Sequence, residues 1–177
     1  MPHLPRAPLA ARHPIHTTLR VAKGCWNLRS HRALRVLESA FHAARDRFGF
    51  RLIHYSVQGN HLHLLVEAGS KESLARGMKG LEVRAARALN RMMQRKGPVF
   101  ADRYHAHVLK SPREAARALR YVLMNFAHHA QAWGERISRT FIDPFSSVRY
   151  LATVPGPGAP VAPPGTWLLR AGWQGSG

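Results

Sequence analysis

The spacing of apolar residues between positions 14 and 151 alternates between the two-residue period of strands and the longer period of helices. Four runs rich in β-branched or other apolar residues predict strands, at 15–21, 50–57, 61–68 and 99–109. Apolar residues three and four positions apart predict three helices, at 31–48, 72–95 and 112–130. The chain is therefore predicted to follow the order β-α-β-β-α-β-α.

Residues that favour helix ends and turns support this assignment. Ser30 is expected to cap the first helix, Gly49 to end it in a left-handed conformation, and Gly97-Pro98 to end the second helix. The run Ser111-Pro112-Arg113-Glu114 combines an N-cap, a first-turn proline and a capping-box glutamate at the start of the third helix. Gln58-Gly59-Asn60 is typical of a hairpin connection between two strands.

The predicted order of elements is that of a split βαβ unit followed by one more helix. It predicts a ferredoxin-like α+β sandwich, in which an antiparallel sheet carries two helices on one face. The third, C-terminal helix lies outside that unit. Because this architecture hosts many unrelated activities, the fold by itself does not identify a function.

The two ends of the chain have a different composition from the middle. Residues 1–13 are rich in proline and arginine and are expected to form a flexible N-terminal tail. Residues 152–166 are rich in proline, glycine and alanine, so no strand or helix is expected there. We therefore expect one domain over residues 14–151, followed by a tail at 152–177 that ends in a short tryptophan-containing segment.

The chain carries far more positive than negative charge. Lysine and arginine total 27 against 9 aspartate and glutamate residues, which gives a formal net charge of +18, and all but five of the basic residues are arginines. Such a charge opposes compact folding unless an anionic partner is bound, and the planar guanidinium binds phosphate through two hydrogen bonds at once. The composition therefore favours nucleic acid as the partner over a small acidic metabolite.

Cysteine usage and hydropathy indicate the cellular environment. The single cysteine, Cys25, excludes an internal disulfide and a cysteine zinc knuckle, which suits a reducing cytoplasm. No run approaches the roughly 20 consecutive apolar residues of a membrane span, and the N-terminus lacks the apolar core of a signal peptide. We expect a cytoplasmic, nucleoid-associated protein without a membrane partner.

Two histidine pairs stand on predicted strands. His61 and His63 are two residues apart, so their side chains share one face of a strand and could form half of a metal site. His105 and His107 have the same spacing, and we interpret them as polar strand residues near nucleic acid, with metal binding as the alternative. With 12 histidines in the chain, a pair at this spacing is weak support for a metal site by itself.

On the third predicted helix, Tyr121 and Asn125 are four residues apart and therefore lie one turn from each other on the same side. Both are at the flank of the apolar stripe of that helix, where a tyrosine can face a cleft. Periodicity alone equally allows an ordinary boundary tyrosine with a packed ring and a hydrated hydroxyl.

Four stretches of the sequence resemble the IS200-like single-tyrosine transposases of the HUH type, and in particular their REP-associated branch. The resemblance extends from about Ile15 to Leu151, and the stretches that carry it are FGFRLIHYSVQGNHLHLLVEA, VFADRYHAHVLKS, RYVLMN and FSSVRYL. Two departures lie beside the matching residues. Family members commonly have Met-Pro where this chain has Gln58-Gly59, and Asn-Pro where it has Asn125-Phe126.

The resemblance implies a catalytic role for the residues that match the family pattern. His61 and His63 would bind a divalent metal, Mg²⁺ or Mn²⁺, with Asn125 often completing the site, and Tyr121 on the C-terminal helix would be the nucleophile. The reaction implied is cleavage and rejoining of single-stranded DNA at hairpin-forming repeats through a 5′-phosphotyrosine link. In this family two subunits can share an active site, so the resemblance also implies a homodimer.

Contacts with single-stranded or hairpin DNA are expected from basic residues near the predicted site and on the second helix. These residues are Arg76, Lys79, Arg84, Arg87, Arg91, Arg95, Arg103 and His105. Three other functions stay open at this point. The chain could be a domesticated DNA-binding protein without strand transfer, a metal phosphoesterase that uses both histidine pairs, or an RNA-binding sheet, although residues 61–68 lack the exposed aromatics of the last class.

Overall fold

The chain folds into one antiparallel sheet with helices on both faces, and a computed structural model describes residues 9–134, 136–138 and 141–176. The strands in this part of the chain are β1 (Ile15–Arg20), β2 (Asp46–Arg47), β3 (Phe50–Val57), β4 (His61–Ala68) and β5 (His105–Val108). The helices are α1 (His31–Ala44), α2 (Lys71–Met93), α3 (Pro112–Ala132) and the short α4 (Trp167–Arg170), with 3₁₀ turns at Val148–Tyr150 and Gly172–Gly175. None of the described helices combines the length and apolar character that crossing a membrane requires.

The order of strands in the sheet is β2-β3-β4-β1-β5, and every neighbouring pair is antiparallel. Apart from the short β2, the first and third strands along the chain lie at the centre, as in the ferredoxin-like sandwich. The predicted α+β class is therefore confirmed.

The sheet has a hydrophobic core on each face. On one face α1 and α2 pack against residues such as Ile15, Leu62 and Leu64. On the other face α3 packs against Ile53 and Leu65. Because both faces are covered, β3 and β4 are buried along nearly their whole length, and alternate residues of β4 enter different cores.

The predicted end of the first helix and the predicted start of the last strand are both wrong. In each case the pairing between strands decides where the element ends. The first helix ends at Ala44 and not near Gly49, because Asp46–Arg47 pairs with β3. The left-handed conformation expected of Gly49 is present, with φ 74°, but it belongs with Phe48 at φ 58° to the turn between β2 and β3. The strand predicted at 99–109 is shorter because only residues 105–108 pair with β1.

The other helix ends agree with the end signals in the sequence to within two residues. The Ser111 hydroxyl accepts from the Glu114 amide, and the Glu114 carboxylate accepts from the Lys110 amide at 2.7 Å. The second helix ends at Met93, because Gln94 adopts a left-handed conformation three residues before Gly97-Pro98, where the sequence predicted the end. Tertiary contacts therefore change the ends of these helices only slightly.

The proline-rich segment after residue 151 packs against the face of the sheet that carries α3. Ala162 and Leu169 are buried in the core beneath α3, and the Glu67 carboxylate accepts hydrogen bonds from the Gly165 and Thr166 amides. The Thr166 hydroxyl also donates to Glu67, at 2.7 Å. The amino-acid composition of this segment does not predict the packing. Of the expected N-terminal tail, residues 1–8 lie outside the described residues, and Leu9 packs partly buried against the main core.

The contact between α2 and β3 allows only glycine at one position of the helix. A Cβ added at Gly77 would overlap the Phe50 ring, whereas a Cβ at Gly80 would meet only the flexible end of Arg84, at 3.2 Å. We expect Gly77→Ala to lower the free energy of unfolding by roughly 1–3 kcal/mol because the core would be overpacked. Gly80→Ala should leave it unchanged or raise it by up to about 1 kcal/mol, through helix propensity.

Urea unfolding of the two variants measures this difference. Equal stability of Gly77→Ala and Gly80→Ala would show that α2 and β3 are not packed as described.

Candidate active site

The two histidines of β4, His61 and His63, project from the face of the sheet that α3 covers. The ring centroids of His61 and His63 are 4.7 Å apart, with the rings nearly perpendicular. Leu62, between them, points into the opposite core. The pairing of β1 with β4 places Thr18 beside His63 and Arg20 beside His61. The two imidazoles therefore lie side by side because the strand alternates and its register is set by β1.

His63 is the more buried imidazole of the pair, with 4% of its surface exposed. Its Nδ1 atom is 3.2 Å from His16 Nε2 and 3.3 Å from Thr18 Oγ1, both on the neighbouring strand β1. Its Nε2 atom is buried without a hydrogen-bond partner. Nδ1 is thus within hydrogen-bond distance of two side chains of β1, whereas Nε2 makes no hydrogen bond.

These histidines are neutral at physiological pH. Burial, followed by the neighbouring His61 and His16, lowers the pKa of His63 to about 3. Burial also lowers the pKa of His61, with smaller effects from His129 and Arg20, and it lowers the pKa of His16 to about 4. A neutral imidazole has a free lone pair, and this is the form that binds metal ions.

Helix α3 brings Tyr121 to the histidine pair. The Tyr121 ring stands edge-on to His63, with centroids 5.1 Å apart, and also contacts His16 at 5.8 Å. Its side chain is 48% exposed, so a substrate could approach the hydroxyl from solvent. A tyrosine ring packed against His63 of β4 and His16 of β1 is the arrangement that the sequence pattern alone could not establish.

Asn125 lies one turn after Tyr121 on α3 and is 2% exposed, deeper than its predicted place at the flank of the apolar stripe. Neither its amide oxygen nor its amide nitrogen has a hydrogen-bond partner. A buried amide without partners costs free energy, commonly 1–3 kcal/mol for each unpaired group. A ligand that binds the Asn125 amide oxygen or hydrogen-bonds to its amide nitrogen would therefore remove this cost.

The position of α3 on the sheet depends on both apolar and polar contacts. Leu119 and Val122 of α3 are buried in the core with Leu65 of β4. Phe126 lies under the Arg29 guanidinium, 3.8 Å from the ring centroid, and Arg29 forms an ion pair with buried Asp143 at 2.8 Å. These contacts hold α3 on both sides of Asn125.

A cleft of about 620 Å³ opens beside the histidine pair and is lined by both histidines. Arg20, Arg103 and His105 also line it, so two of the residues predicted to contact DNA lie next to the predicted metal ligands. Both Arg103 and His105 are exposed. The cleft therefore presents basic groups around the imidazoles.

The second histidine pair is divided between different surroundings. His105 pairs with Thr18 and lines the cleft, whereas the exposed His107 pairs with His16 and lies 3.8 Å from the Glu114 carboxylate. Both stand on β5, which forms one edge of the sheet. This geometry agrees with the interpretation of the pair as polar strand residues.

The basic residues predicted on α2 are not brought to this cleft. They lie on the face of the sheet opposite α3, and they are Arg76, Lys79, Arg84, Arg87, Arg91 and Arg95. Three of these residues, together with Arg35 of α1, line a groove of about 670 Å³ between α1 and α2, and the three are Arg84, Arg87 and Arg91. Arg95 instead donates to Asn90 Oδ1 and Pro98 O near the end of the helix.

The sequence pattern did not single out His16 and Thr18, although both contact His63. They alternate with buried Ile15 and Thr17 along β1, so the two-residue period of the predicted strand placed them on one face. What the sequence lacked was the register, which sets Thr18 opposite His63 and places His16 two residues away, opposite Leu65. Long-range pairing of this kind cannot be read from one strand.

The donor set fits a divalent ion only if the amide is included. Among the residues that the structure describes, no three histidine, cysteine, aspartate or glutamate side chains are grouped to hold a metal. His63 Nε2 and Asn125 Oδ1 are nevertheless buried without partners, and His61 stands beside His63. Two imidazoles and one amide oxygen can bind Mn²⁺ and leave positions for water and phosphate, while Mg²⁺ prefers an all-oxygen set.

Comparison with known proteins gives a sequence family and a fold. The profile of the family described as Transposase IS200 like matches residues 15–125. A solved structure of a REP-associated tyrosine transposase bound to a REP hairpin is 14% identical, with a TM-score of 0.64 over 84% of each chain. A candidate transposase from Deinococcus radiodurans R1 is also 14% identical, with a TM-score of 0.46 over 76% of this chain and 95% of that one. No curated protein sequence matches this chain.

Proposed function

The chain belongs to the IS200-like transposase family, and on that premise we propose that it cleaves and rejoins single-stranded DNA with Tyr121 as the nucleophile. The observation that carries the proposal is the packing of the half-exposed Tyr121 ring against buried, neutral His63, whose Nε2 has no partner. The tyrosine ring packs against His63, and both His61 and His63 line the basic cleft. A strand bound in the cleft would present a phosphate to all three.

The proposed metal site consists of His61, His63 and Asn125. A divalent ion held there, Mg²⁺ or Mn²⁺, would draw charge from the non-bridging phosphate oxygens and make the phosphorus more electrophilic. Support comes from the unpaired atoms of His63 and Asn125 and from the neutral state of both imidazoles.

His16 and Thr18 position His63 in this proposal. With Nε2 turned to the metal, the proton of the neutral ring is on Nδ1, which can donate to Thr18 Oγ1 or His16 Nε2 at 3.3 and 3.2 Å. A hydrogen bond to the second ring nitrogen fixes the tautomer and the orientation of a ligand histidine. In this role the two residues act through His63.

The chemical steps of this proposal are those that the resemblance to single-tyrosine transposases implies, with the Tyr121 hydroxyl as the attacking group. Its oxygen forms a bond to phosphorus while the bond from phosphorus to the 3′ oxygen of the preceding nucleotide breaks. The phenol proton is released, and the departing 3′ oxygen takes up a proton. The product is a 5′-phosphotyrosine link with a free 3′-hydroxyl. Attack of a 3′-hydroxyl on that link restores Tyr121 and rejoins the strand, so no external energy source is needed.

The proposed partner is single-stranded or hairpin DNA, and the cleft and the α2 face would contact different parts of it. Arg20, Arg103 and His105 surround the histidine pair and would contact the strand near the scissile phosphate. The groove at Arg84 and Arg87 lies across the sheet and would contact phosphates further away. The homodimer and the nucleoid-associated cytoplasmic location stay predictions from the sequence.

The nucleophile can be tested with a covalent trapping assay. The protein is incubated with Mn²⁺ and a labelled single strand that carries the hairpin repeats flanking its gene, then separated on a denaturing gel. We expect the parent protein to give a protein–DNA adduct and Tyr121→Phe to give none. The substitution removes one oxygen and keeps the ring, so packing and DNA affinity should change little.

Tyr104→Phe and Tyr150→Phe are the matched controls and should still form the adduct. An adduct that persists in Tyr121→Phe and is lost in a control would place the nucleophile elsewhere. Metal-dependent cleavage without any adduct would favour a hydrolytic phosphoesterase. Binding of the repeats without cleavage would favour a DNA-binding protein that has lost strand transfer.

Metal binding can be measured separately by Mn²⁺ titration of the DNA-free protein. The double variant His61→Ala/His63→Ala should lose binding, because the one remaining amide is too weak a ligand, and His105→Ala/His107→Ala should keep it. Protons compete with the metal for neutral imidazoles. Since burial lowers the pKa of His61 and brings that of His63 to about 3, affinity should fall less between pH 7.5 and pH 6 than it would for histidines with the ordinary pKa of 6.5. A steep loss across that range would point to exposed histidines as the ligands.

Electrostatic binding predicts a strong dependence on salt. If six or more basic residues contact phosphates, affinity for single-stranded hairpin DNA should fall by roughly 10³-fold or more between 50 and 200 mM salt. The triple variant Arg84→Ala/Arg87→Ala/Arg91→Ala tests the α2 face, and Arg20→Ala/Arg103→Ala tests the cleft. Each lost phosphate contact should reduce the slope of log affinity against log salt by about 0.9. A response that is flat for the parent protein would contradict phosphate binding by these arginines.

A further inference from the structure

The last turn of α3 presents a large aromatic surface to solvent. The Trp133 side chain is 72% exposed, more than that of Tyr121. One face of its ring lies nearly parallel to the His129 imidazole, with the centroids 6.0 Å apart and an angle of 26° between the planes. His128 and Gln131, on the same turn, are also exposed. An indole supported from behind by a second ring is a flat, rigid surface with one face available.

This surface lies on the helix that carries the proposed nucleophile. Tyr121, Asn125, His129 and Trp133 follow one another at intervals of four residues, and each interval advances about 6 Å along the axis. Trp133 is therefore roughly 12 Å along α3 from Asn125. His129 is also close enough to the histidine pair to contribute to the lowered pKa of both His61 and His63. The stacked pair thus borders the site.

The chemistry of the surface selects its ligand. A flat ring with one free face binds another flat π-system, and every nucleobase has such a face. The exposed neighbours His128 and Gln131 on that turn are polar and can hydrogen-bond to a nucleotide beside the ring. The net charge of +18 and the basic cleft attract a polyanion to this part of the molecule. Single-stranded DNA combines the two properties.

We propose that Trp133, supported by His129, stacks on a nucleobase of the single strand that crosses the site, a few nucleotides from the phosphate at Tyr121. This inference rests on the proposed function, since it takes the same DNA strand as the ligand. Trp133 would hold the strand in position and contribute affinity without reading sequence, because stacking accepts any base. It is a binding residue and takes no part in the chemical step.

The test compares two probes that differ only in their bases. The full-length chain carrying Tyr121→Phe is titrated with a fluorescein-labelled oligo-dT strand and with an abasic strand of the same length, and anisotropy reports binding. Trp133→Ala in this background should bind oligo-dT roughly 5- to 100-fold more weakly, the range expected for loss of one base–aromatic stack. Its affinity for the abasic strand should be unchanged. Trp133→Phe keeps a ring and should retain most of the oligo-dT affinity.

Trp167→Ala, at an exposed tryptophan on α4, is the matched control and should bind both probes like the parent. Thermal unfolding of each variant shows that the fold is intact, and Trp133→Phe reports on the ring even if the alanine variant is unstable. Equal oligo-dT binding by Trp133→Ala and the parent would overturn the stacking proposal and leave the proposed function standing. An equal loss on both probes would overturn it as well, because the contact would then be to the backbone. A parent protein that binds neither probe would overturn both proposals.

Discussion

The antiparallel pairing of β1 with β4 is the constraint on which the rest of the structure depends. Its register places Thr18 opposite His63 and directs His61 and His63 to the face under α3, while Leu62 and Leu64 enter the core under α1 and α2. A shift of one residue would exchange these two sets, because the side-chain period of a strand is two. The histidines would then be buried among apolar side chains, and the cleft would be lined by leucines.

The proposed site also requires α3 on the face of the sheet that carries the histidines. Residues after α3 in the chain help to hold it there. Arg29 connects the ring of Phe126 to buried Asp143, and Glu67 accepts hydrogen bonds from Thr166. Glu67 and His63 point to the same face of β4, so the C-terminal segment is fixed to the strand that carries the proposed metal ligand. The buried carboxylate is matched by several donors, including Arg51, which offsets the cost of removing it from water.

Positive charge is concentrated at two separate places on this fold, the rim of the cleft and the groove between α1 and α2. The interior of the proposed site holds neutral imidazoles, since burial makes the protonated form costly, whereas the rim of the cleft is basic. A further set of arginines lies between α1 and α2, on the opposite side of the sheet. The exposed Trp133 at the end of α3 adds an uncharged surface beside the site. In the proposed function, bound DNA would contact the basic rim, the buried histidines and the exposed Trp133 ring.

The sequence by itself determined what depends on neighbouring residues. The two-residue and helical periods defined the strands at 50–57 and 61–68 and the caps of α3, and the α+β order followed from them. Spacing alone also placed His61 with His63 and Tyr121 with Asn125. Only the tertiary structure decided that these two pairs meet, that His16 joins them, that the basic face of α2 lies on the opposite side, and that the proline-rich segment packs on the sheet. Each of these depends on contacts between residues distant in sequence, whose register and packing no local pattern specifies.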